Sequence, residues 1–154
     1  MAELEMIRDY ILLEENLSTS GMPQAAQFAE IARAGFSLVI NLALPTSDTA
    51  HANEGELVTL QGMTYIHIPV KFNAPAEADF QRFTQILSAC AGQKVWVHCV
   101  ANMRVSAFVF LYRLKTGSSA RGEAERDLKR IWEPDGVWRG FVNAQLVKIG
   151  QKPL

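Results

Sequence analysis

A cysteine and an arginine five positions apart, Cys99 and Arg104, carry most of the chemical information in this sequence. The residues just before Cys99, 94–98, form a short apolar run, and a strongly apolar segment resumes after Arg104. This pattern predicts a strand, a short loop and a helix. A thiol at such a junction faces the amino end of the helix, where unpaired backbone N–H groups and the helix dipole favour an anion. The same field favours the thiolate, which is the nucleophilic form of cysteine.

An arginine on the first turn of that helix can place its two-pronged guanidinium on an oxyanion held over the sulfur. Thiolate, anion-binding loop and guanidinium are together what attack on a phosphate monoester requires. The predicted phosphate-binding residues are Val100, Ala101, Asn102, Met103, Arg104 and Val105. The two key residues also have a structural interpretation, as a buried core thiol and a surface arginine. Their joint occurrence at a strand-to-helix junction favours the catalytic interpretation.

The composition indicates which partners such a site would have. The 154 residues suit a single domain, 1–154, and 49% hydrophobic with 20% charged residues is typical of a globular protein. A formal charge of −1 gives no electrostatic reason to expect nucleic acid or an anionic membrane as a partner. We therefore expect a small-molecule or protein substrate.

The sequence also bears on location. No segment is apolar and long enough to span a bilayer, and the acidic start, residues 1–5, does not resemble a secretion signal. The two cysteines, Cys90 and Cys99, form no metal or disulfide framework, which favours reduced thiols in the cytoplasm. Cys90 is expected to be a small core residue.

Short β-branched runs alternate with amphipathic segments along the chain. Strands are predicted at 36–42, 63–70 and 94–98, with a strand or short hairpin in 6–13, and residues 17–23 are predicted to be a loop. Helices are predicted at 24–34, 54–61, from Pro75 to about Cys90, at 104–115, 119–131 and 137–149. The alternation predicts an α/β fold, with a mostly parallel central sheet of four to five strands and helices on both faces.

The sequence around the cysteine resembles the active-site loop of the cysteine-dependent phosphatases of the tyrosine and dual-specificity class. Their common signature is His-Cys, five residues, then Arg, whereas four residues separate Cys99 from Arg104 here. The shorter spacing is similar to that of a bacterial branch of this superfamily with a Cys-x4-Arg loop. Rhodanese-type sulfurtransferases can also have loops of this length, so the spacing alone leaves both families open.

Other stretches favour the phosphatases. Residues 19–23 and 39–42 resemble the opening of the bacterial branch, and residues 65–70 resemble the strand that leads into the phosphatase acid loop. The resemblance covers roughly residues 10–115 in order, which is more than a single motif.

The resemblance implies a dual-specificity-phosphatase-like fold and hydrolysis of phosphate monoesters through a cysteinyl-phosphate intermediate, with Cys99 as nucleophile. It implies a phosphorylated small molecule or phosphoprotein as substrate, with no cofactor and no metal. By the same resemblance, His98 helps to hold the thiolate and the Ser106 hydroxyl aids release of the phosphoryl group. The alternatives are a rhodanese-like sulfurtransferase and a non-catalytic module that binds phosphate or another oxyanion.

Two positions depart from the family pattern. Asn102 stands where the loop usually has a glycine, but asparagine tolerates left-handed backbone geometry better than most residues. Lys71 stands where many relatives carry the aspartate that protonates the leaving group, and a lysine is poorly suited to that task at neutral pH. Asp79 is therefore the first candidate for the general acid, followed by Glu77 and Asp48.

Two tryptophans around a turn, Trp132 and Trp138, either pack the last helix or line the rim of a pocket, and packing is favoured. Neither His51 nor His67 lies near a second ligand at metal spacing, so no metal site is predicted.

Overall fold

A computed structural model describes residues 3–154, so the first two residues of the acidic amino-terminal stretch lie outside the described residues. Its five strands are β1 (Ile11–Glu14), β2 (Leu17–Ser20), β3 (Leu38–Asn41), β4 (Thr64–His67) and β5 (Val95–His98). They form one sheet in the order β1-β2-β5-β3-β4, in which β1 is antiparallel to β2 and the other pairs are parallel. The predicted α/β fold with a mostly parallel central sheet is confirmed.

The helices lie in the sequence segments where they were predicted, within about three residues at each end. They are α1 (Gln27–Arg33), α2 (Glu54–Thr59), α3 (Glu77–Ala89), α4 (Met103–Thr116), α5 (Arg121–Lys129) and α6 (Gly136–Lys148), and a short 3-10 helix spans Leu4–Met6. Within residues 3–154, no helix has the length and apolar character needed to cross a membrane.

Helices cover both faces of the sheet, and successive side chains of each strand point to opposite faces. In β5, Val95 and Val97 join a large core beneath α3 to α6, whereas Trp96 points into a smaller core beneath α1 and α2. The strand β3 divides in the same way, with Val39 on the side of the smaller core. The predicted placement of helices on both faces is confirmed.

The sequence analysis did not predict strand β2, since residues 17–20 were assigned to a loop, and it did not predict the short 3-10 helix Leu4–Met6 either. The three polar side chains of β2, Ser18, Thr19 and Ser20, are at most 1% exposed in a strand between β1 and β5. A run of serine and threonine is typical of turns, but strand formation depends mainly on the neighbouring strands and side chains. Here the Ser20 hydroxyl accepts a hydrogen bond from Trp96 Nε1 (2.9 Å) and donates one to the Gly21 carbonyl (2.7 Å).

The helix α4 is buried almost along its whole length, which fixes the position of the loop that precedes it. Residues 104–111 are all buried between the sheet and the neighbouring helices. A helix that is apolar nearly all round belongs to the core of a domain. The loop 99–102 is therefore held between two rigid elements, β5 and α4, at the carboxyl edge of the parallel strands, where ligands bind in open α/β sheets.

Candidate active site

The loop between β5 and α4 owes its turn to Asn102, whose backbone has φ 63° and ψ 3° in the left-handed region. A short polar side chain accepts this conformation more easily than most. The Asn102 side chain is fully buried, and its Nδ2 donates to the Asp9 carbonyl (2.9 Å) and to Thr19 Oγ1 (3.0 Å). These bonds tie the loop to β2 and to the segment before β1.

Gly21, directly after β2, lets a second segment approach the loop closely. The Met22 N–H donates to the Val100 carbonyl (3.0 Å), and a Cβ atom added to Gly21 would lie 2.5 Å from that same oxygen. Only glycine provides this space. The Cys99 N–H donates to the Ser20 carbonyl (3.4 Å), so the start of the loop is fixed as well.

The backbone N–H groups of the loop and of the first turn of α4 are free. Within residues 3–154, no acceptor takes the N–H groups of residues 100–105, whereas the Ser106 N–H donates to the Asn102 carbonyl (2.8 Å). Six unpaired N–H groups at the amino end of a 14-residue helix form a strong site for an anion. They belong to the residues that the sequence analysis assigned to phosphate binding.

Cys99 lies at the foot of this loop and is 1% exposed, with its side chain packed in the large core. The environment matches an activated nucleophile at a helix amino end as well as it matches a buried structural thiol.

Arg104 is also buried, at 6% exposure, on the first turn of α4. Its Nη1 donates to the Val70 carbonyl (2.9 Å), and its guanidinium carbon lies 5.9 Å from the centroid of the Phe72 ring. Its other N–H groups form no hydrogen bond within residues 3–154, so they are available to an oxyanion. Arg104 thus links the anion loop to the segment that follows β4.

His98 is completely buried behind the loop in a hydrogen-bond network that the sequence analysis missed. Its Nε2 lies 2.6 Å from Glu54 Oε2, and its Nδ1 lies 3.2 Å from the Cys99 carbonyl oxygen. Asn41 Nδ2 donates to Glu54 Oε1 (3.4 Å) and to the Tyr65 hydroxyl (3.1 Å). Burial raises the pKa of Tyr65 to about 12; the hydrogen bond from Asn41 opposes the shift and the charge of Glu54 adds to it.

Glu54 was missed because 44 residues separate it from His98, and no spacing rule joins the two. The one available signal was its place in the first turn of a helix that follows β3 at the same sheet edge. Acidic residues at that position are usually interpreted as partners of the helix dipole.

The Ser106 hydroxyl has two hydrogen-bond partners close to the loop. It donates to the Met103 carbonyl (3.0 Å) and accepts from Trp132 Nε1 (3.1 Å). Trp138 is 1% exposed, so the prediction that it packs the last helix is confirmed. Trp132 is partly buried, and its ring lies 5.9 Å from that of Phe72, beside Arg104.

The candidate general acids lie outside the network around the loop. Asp79 pairs with Arg82 (3.0 Å), and Glu77 pairs with Lys148 (2.6 Å), which holds the pKa of Glu77 below its usual value. Lys71 and Asp48 are exposed. Within residues 3–154, no carboxylate forms a hydrogen bond or ion pair with residues 99–105.

A cleft of about 320 Å³ adjoins the loop on the side of Met22, whose N–H is bonded to Val100. Its lining combines apolar and polar side chains: Met6, Arg8, Met22, Pro23, Gln24, Gln27, Thr49 and His51. His51 is fixed there by a 2.7 Å contact between its Nε2 and the Pro23 carbonyl. Among residues 3–154, no group of three or more histidine, cysteine, aspartate or glutamate side chains is arranged to hold a metal ion.

Comparison with known proteins identifies relatives over most of the chain. A family model described as a DSP-PTPase phosphatase fused to NAD+ kinase matches residues 13–137. A DUF442 protein of known structure from Shewanella putrefaciens, described as a candidate phosphatase, is 34% identical and has a TM-score of 0.87, over 96% of this chain and 97% of that one. TpbA from Pseudomonas aeruginosa, solved in complex with phosphotyrosine, shares the fold with a TM-score of 0.69 and 15% identity, over 92% and 90% of the two chains.

A curated relative is much longer. A beta-lactamase hydrolase-like protein from Xylella fastidiosa is 30% identical over 117 residues, which cover 73% of this chain and 27% of that protein. The chain therefore spans about a quarter of the length of the curated relatives it matches.

Proposed function

Because this chain belongs to the dual-specificity-type family of phosphatases, we propose that it hydrolyses phosphate monoesters through a cysteinyl-phosphate intermediate. The observation that carries the proposal is the set of six free N–H groups, residues 100–105, next to the buried thiol of Cys99. The buried guanidinium of Arg104 adds a charged donor to the same site. A phosphorylated small molecule or a phosphoprotein is the expected substrate.

In the first step, the thiolate of Cys99 attacks phosphorus, an S–P bond forms, and the P–O bond to the leaving group breaks. In the second step, water attacks the phosphocysteine, the S–P bond breaks, and inorganic phosphate leaves with the thiolate restored. The N–H groups and Arg104 stabilise the charge on the equatorial oxygens, which is greatest in the transition state.

The site is less well equipped to protonate the leaving group than to bind the phosphate. No carboxylate is bonded to residues 99–105 within residues 3–154, so we expect aryl phosphates, whose leaving groups need little protonation, to react fastest. Asp79 remains the first candidate donor for poorer leaving groups. To act, it would have to leave its ion pair with Arg82.

One observation favours a second candidate, sulfur transfer: only four residues separate Cys99 from Arg104. In that reaction the thiolate of Cys99 would take the outer sulfur of thiosulfate, forming an S–S bond and releasing sulfite. Cyanide would then remove that sulfur as thiocyanate and restore the thiolate.

Parallel assays with an aryl phosphate and with thiosulfate plus cyanide test the two candidates. We expect phosphate release that vanadate inhibits, that is lost in Cys99→Ser, and that persists in the matched control Cys90→Ser, whose thiol lies on the core side outside the loop. Thiocyanate formation without phosphate release would favour sulfur transfer. Vanadate binding without either reaction would indicate that the protein is a non-catalytic module that binds oxyanions.

A further inference from the structure

The imidazole of His98 faces a hydrogen-bond acceptor on each side. Nε2 lies 2.6 Å from Glu54 Oε2, and Nδ1 lies 3.2 Å from the carbonyl oxygen of Cys99. The two side chains are 0% and 4% exposed, so water does not replace either contact. In a buried site, each of these two contacts is favourable only if one of its two atoms carries a hydrogen for the other to accept.

The protons in this arrangement can be counted. A carbonyl oxygen only accepts, so the contact with Cys99 requires a hydrogen on Nδ1. The contact between Nε2 and Glu54 requires a second hydrogen, on the nitrogen or on the carboxyl oxygen. A neutral imidazole facing an ionised Glu54 has only one hydrogen for both contacts and must leave one unsatisfied.

The rest of the network holds the Glu54 carboxylate in place. Asn41 Nδ2 donates to Glu54 Oε1, the oxygen that does not face His98, and the Tyr65 hydroxyl also interacts with the carboxylate. The side toward α1 is closed by Phe28, whose ring centroid lies 6.2 Å from that of His98. Among the residues that contact Glu54 and His98, the other titratable side chains are those of Tyr65 and Cys99.

We propose that Glu54 is a positioning residue for the nucleophile: a proton shared between Glu54 and His98 keeps the Nδ1–H group on the Cys99 carbonyl. Without that proton, the remaining hydrogen would move to Nε2 to bond the ionised carboxylate. The contact between Nδ1 and Cys99 would then be broken, and the start of the anion loop would lose its support. The effect on turnover rests on the proposed function, whereas the proton count does not.

Glu54→Gln is the informative variant, because glutamine copies the protonated carboxyl without a removable proton. Its amide oxygen can accept from Asn41 while its amide nitrogen donates to His98 Nε2. We expect kcat/KM of this variant at neutral pH to stay within about threefold of the wild type, because the bond to His98 Nε2 is kept. A loss in Glu54→Gln as large as that in Glu54→Leu would overturn the proposal.

Glu54→Leu removes the hydrogen bonds and keeps a similar volume. We expect kcat/KM to fall about 10- to 100-fold, by analogy with the loss of the group that orients a metal-bound histidine. The matched control is Glu56→Leu, since Glu56 lies on the same helix but outside the network. An equal effect of the two substitutions would contradict the proposed role.

Nitrogen NMR of the histidine rings tests the proton count without any turnover. The His98 signals are assigned by comparison with His51→Gln and His67→Gln, the other two histidines. At neutral pH we expect a protonated Nδ1 both in the wild type and in Glu54→Gln. A neutral ring with hydrogen on Nε2 and none on Nδ1 would overturn the proposal, even in a chain that proved inactive as a phosphatase.

Discussion

The loop 99–104 and the segment 71–79 lie at the same edge of the sheet but are built very differently. The loop is held by hydrogen bonds from Asn102, Met22 and Cys99, and its side chains are buried or half-buried. The segment is largely exposed, and its carboxylates pair with basic residues of the helices. The two regions meet where Arg104 donates to the Val70 carbonyl. Under the proposed function, the fold therefore provides donors for an oxyanion in the loop but no carboxylate bonded to it for protonation of the leaving group.

The largest effect is expected from the nucleophile. Cys99→Ser should lower kcat/KM for an aryl phosphate by about 10⁴-fold or more, because the hydroxyl is a far weaker nucleophile. Binding of inorganic phosphate, measured by calorimetry, should change little, since the free N–H groups remain. Substantial turnover by this variant would place the chemistry outside the loop.

Arg104→Lys comes next. Replacing a two-pronged donor by a point charge should lower kcat/KM by about 10²- to 10³-fold, as for loss of one oxyanion donor. The contact with the Phe72 ring is weakened as well. Arg130→Lys, at an exposed position after α5, is the matched control and should behave as the wild type. Unchanged kinetics in Arg104→Lys would remove this residue from the site.

Asp79→Asn tests whether the segment 71–79 supplies the proton for the leaving group. For an alkyl phosphate we expect kcat to fall about 10²-fold, because a poor leaving group needs a proton. For an aryl phosphate with a good leaving group we expect almost no change. Glu77→Gln is the control on the same helical turn. A larger effect in the control would transfer the acid role to Glu77, and no effect in either variant would direct attention to Asp48.

Gly21→Ala tests whether the close approach of the two segments supports the loop. The added Cβ would lie 2.5 Å from the Val100 carbonyl oxygen, which belongs to rigid backbone. We expect a loss of about 1–3 kcal/mol in the free energy of unfolding, measured in urea, together with weaker phosphate binding. Gly140→Ala is the control, because a Cβ on Gly140 meets nothing within 4 Å. Equal stability of the two variants would contradict the tight packing at Gly21.

Tyr65→Phe removes the hydroxyl that accepts from Asn41 at every pH, and it should add a small effect on stability that is specific to alkaline pH. Burial raises the pKa of Tyr65 from 10.0 to about 12 in the folded chain. Below pH 10 the hydroxyl is neutral in both states, and between pH 10 and 12 only the unfolded chain releases its proton, so stability is lost as pH rises. Tyr65→Phe should lose less stability between pH 10 and pH 12 than the wild type does. Parallel curves for the wild type and Tyr65→Phe would contradict the effect.

The sequence was sufficient for features that depend on local pattern. Apolar periodicity placed the helices and most strands, and the junction of an apolar strand with a polar loop singled out Cys99 and Arg104. It was insufficient where distant segments decide the outcome. The residues of β2 look like a loop until β1 and β5 bury them, and Glu54 meets His98 only after the sheet brings α2 to the edge of β5.

The most direct test of the central claim is a crystal structure of the protein with vanadate. We predict a bond between vanadium and Cys99 Sγ, with the vanadate oxygens on the N–H groups of residues 100–105 and on the guanidinium of Arg104. Vanadate bound elsewhere, with an empty loop and Arg104 still bonded only to Val70, would contradict the account.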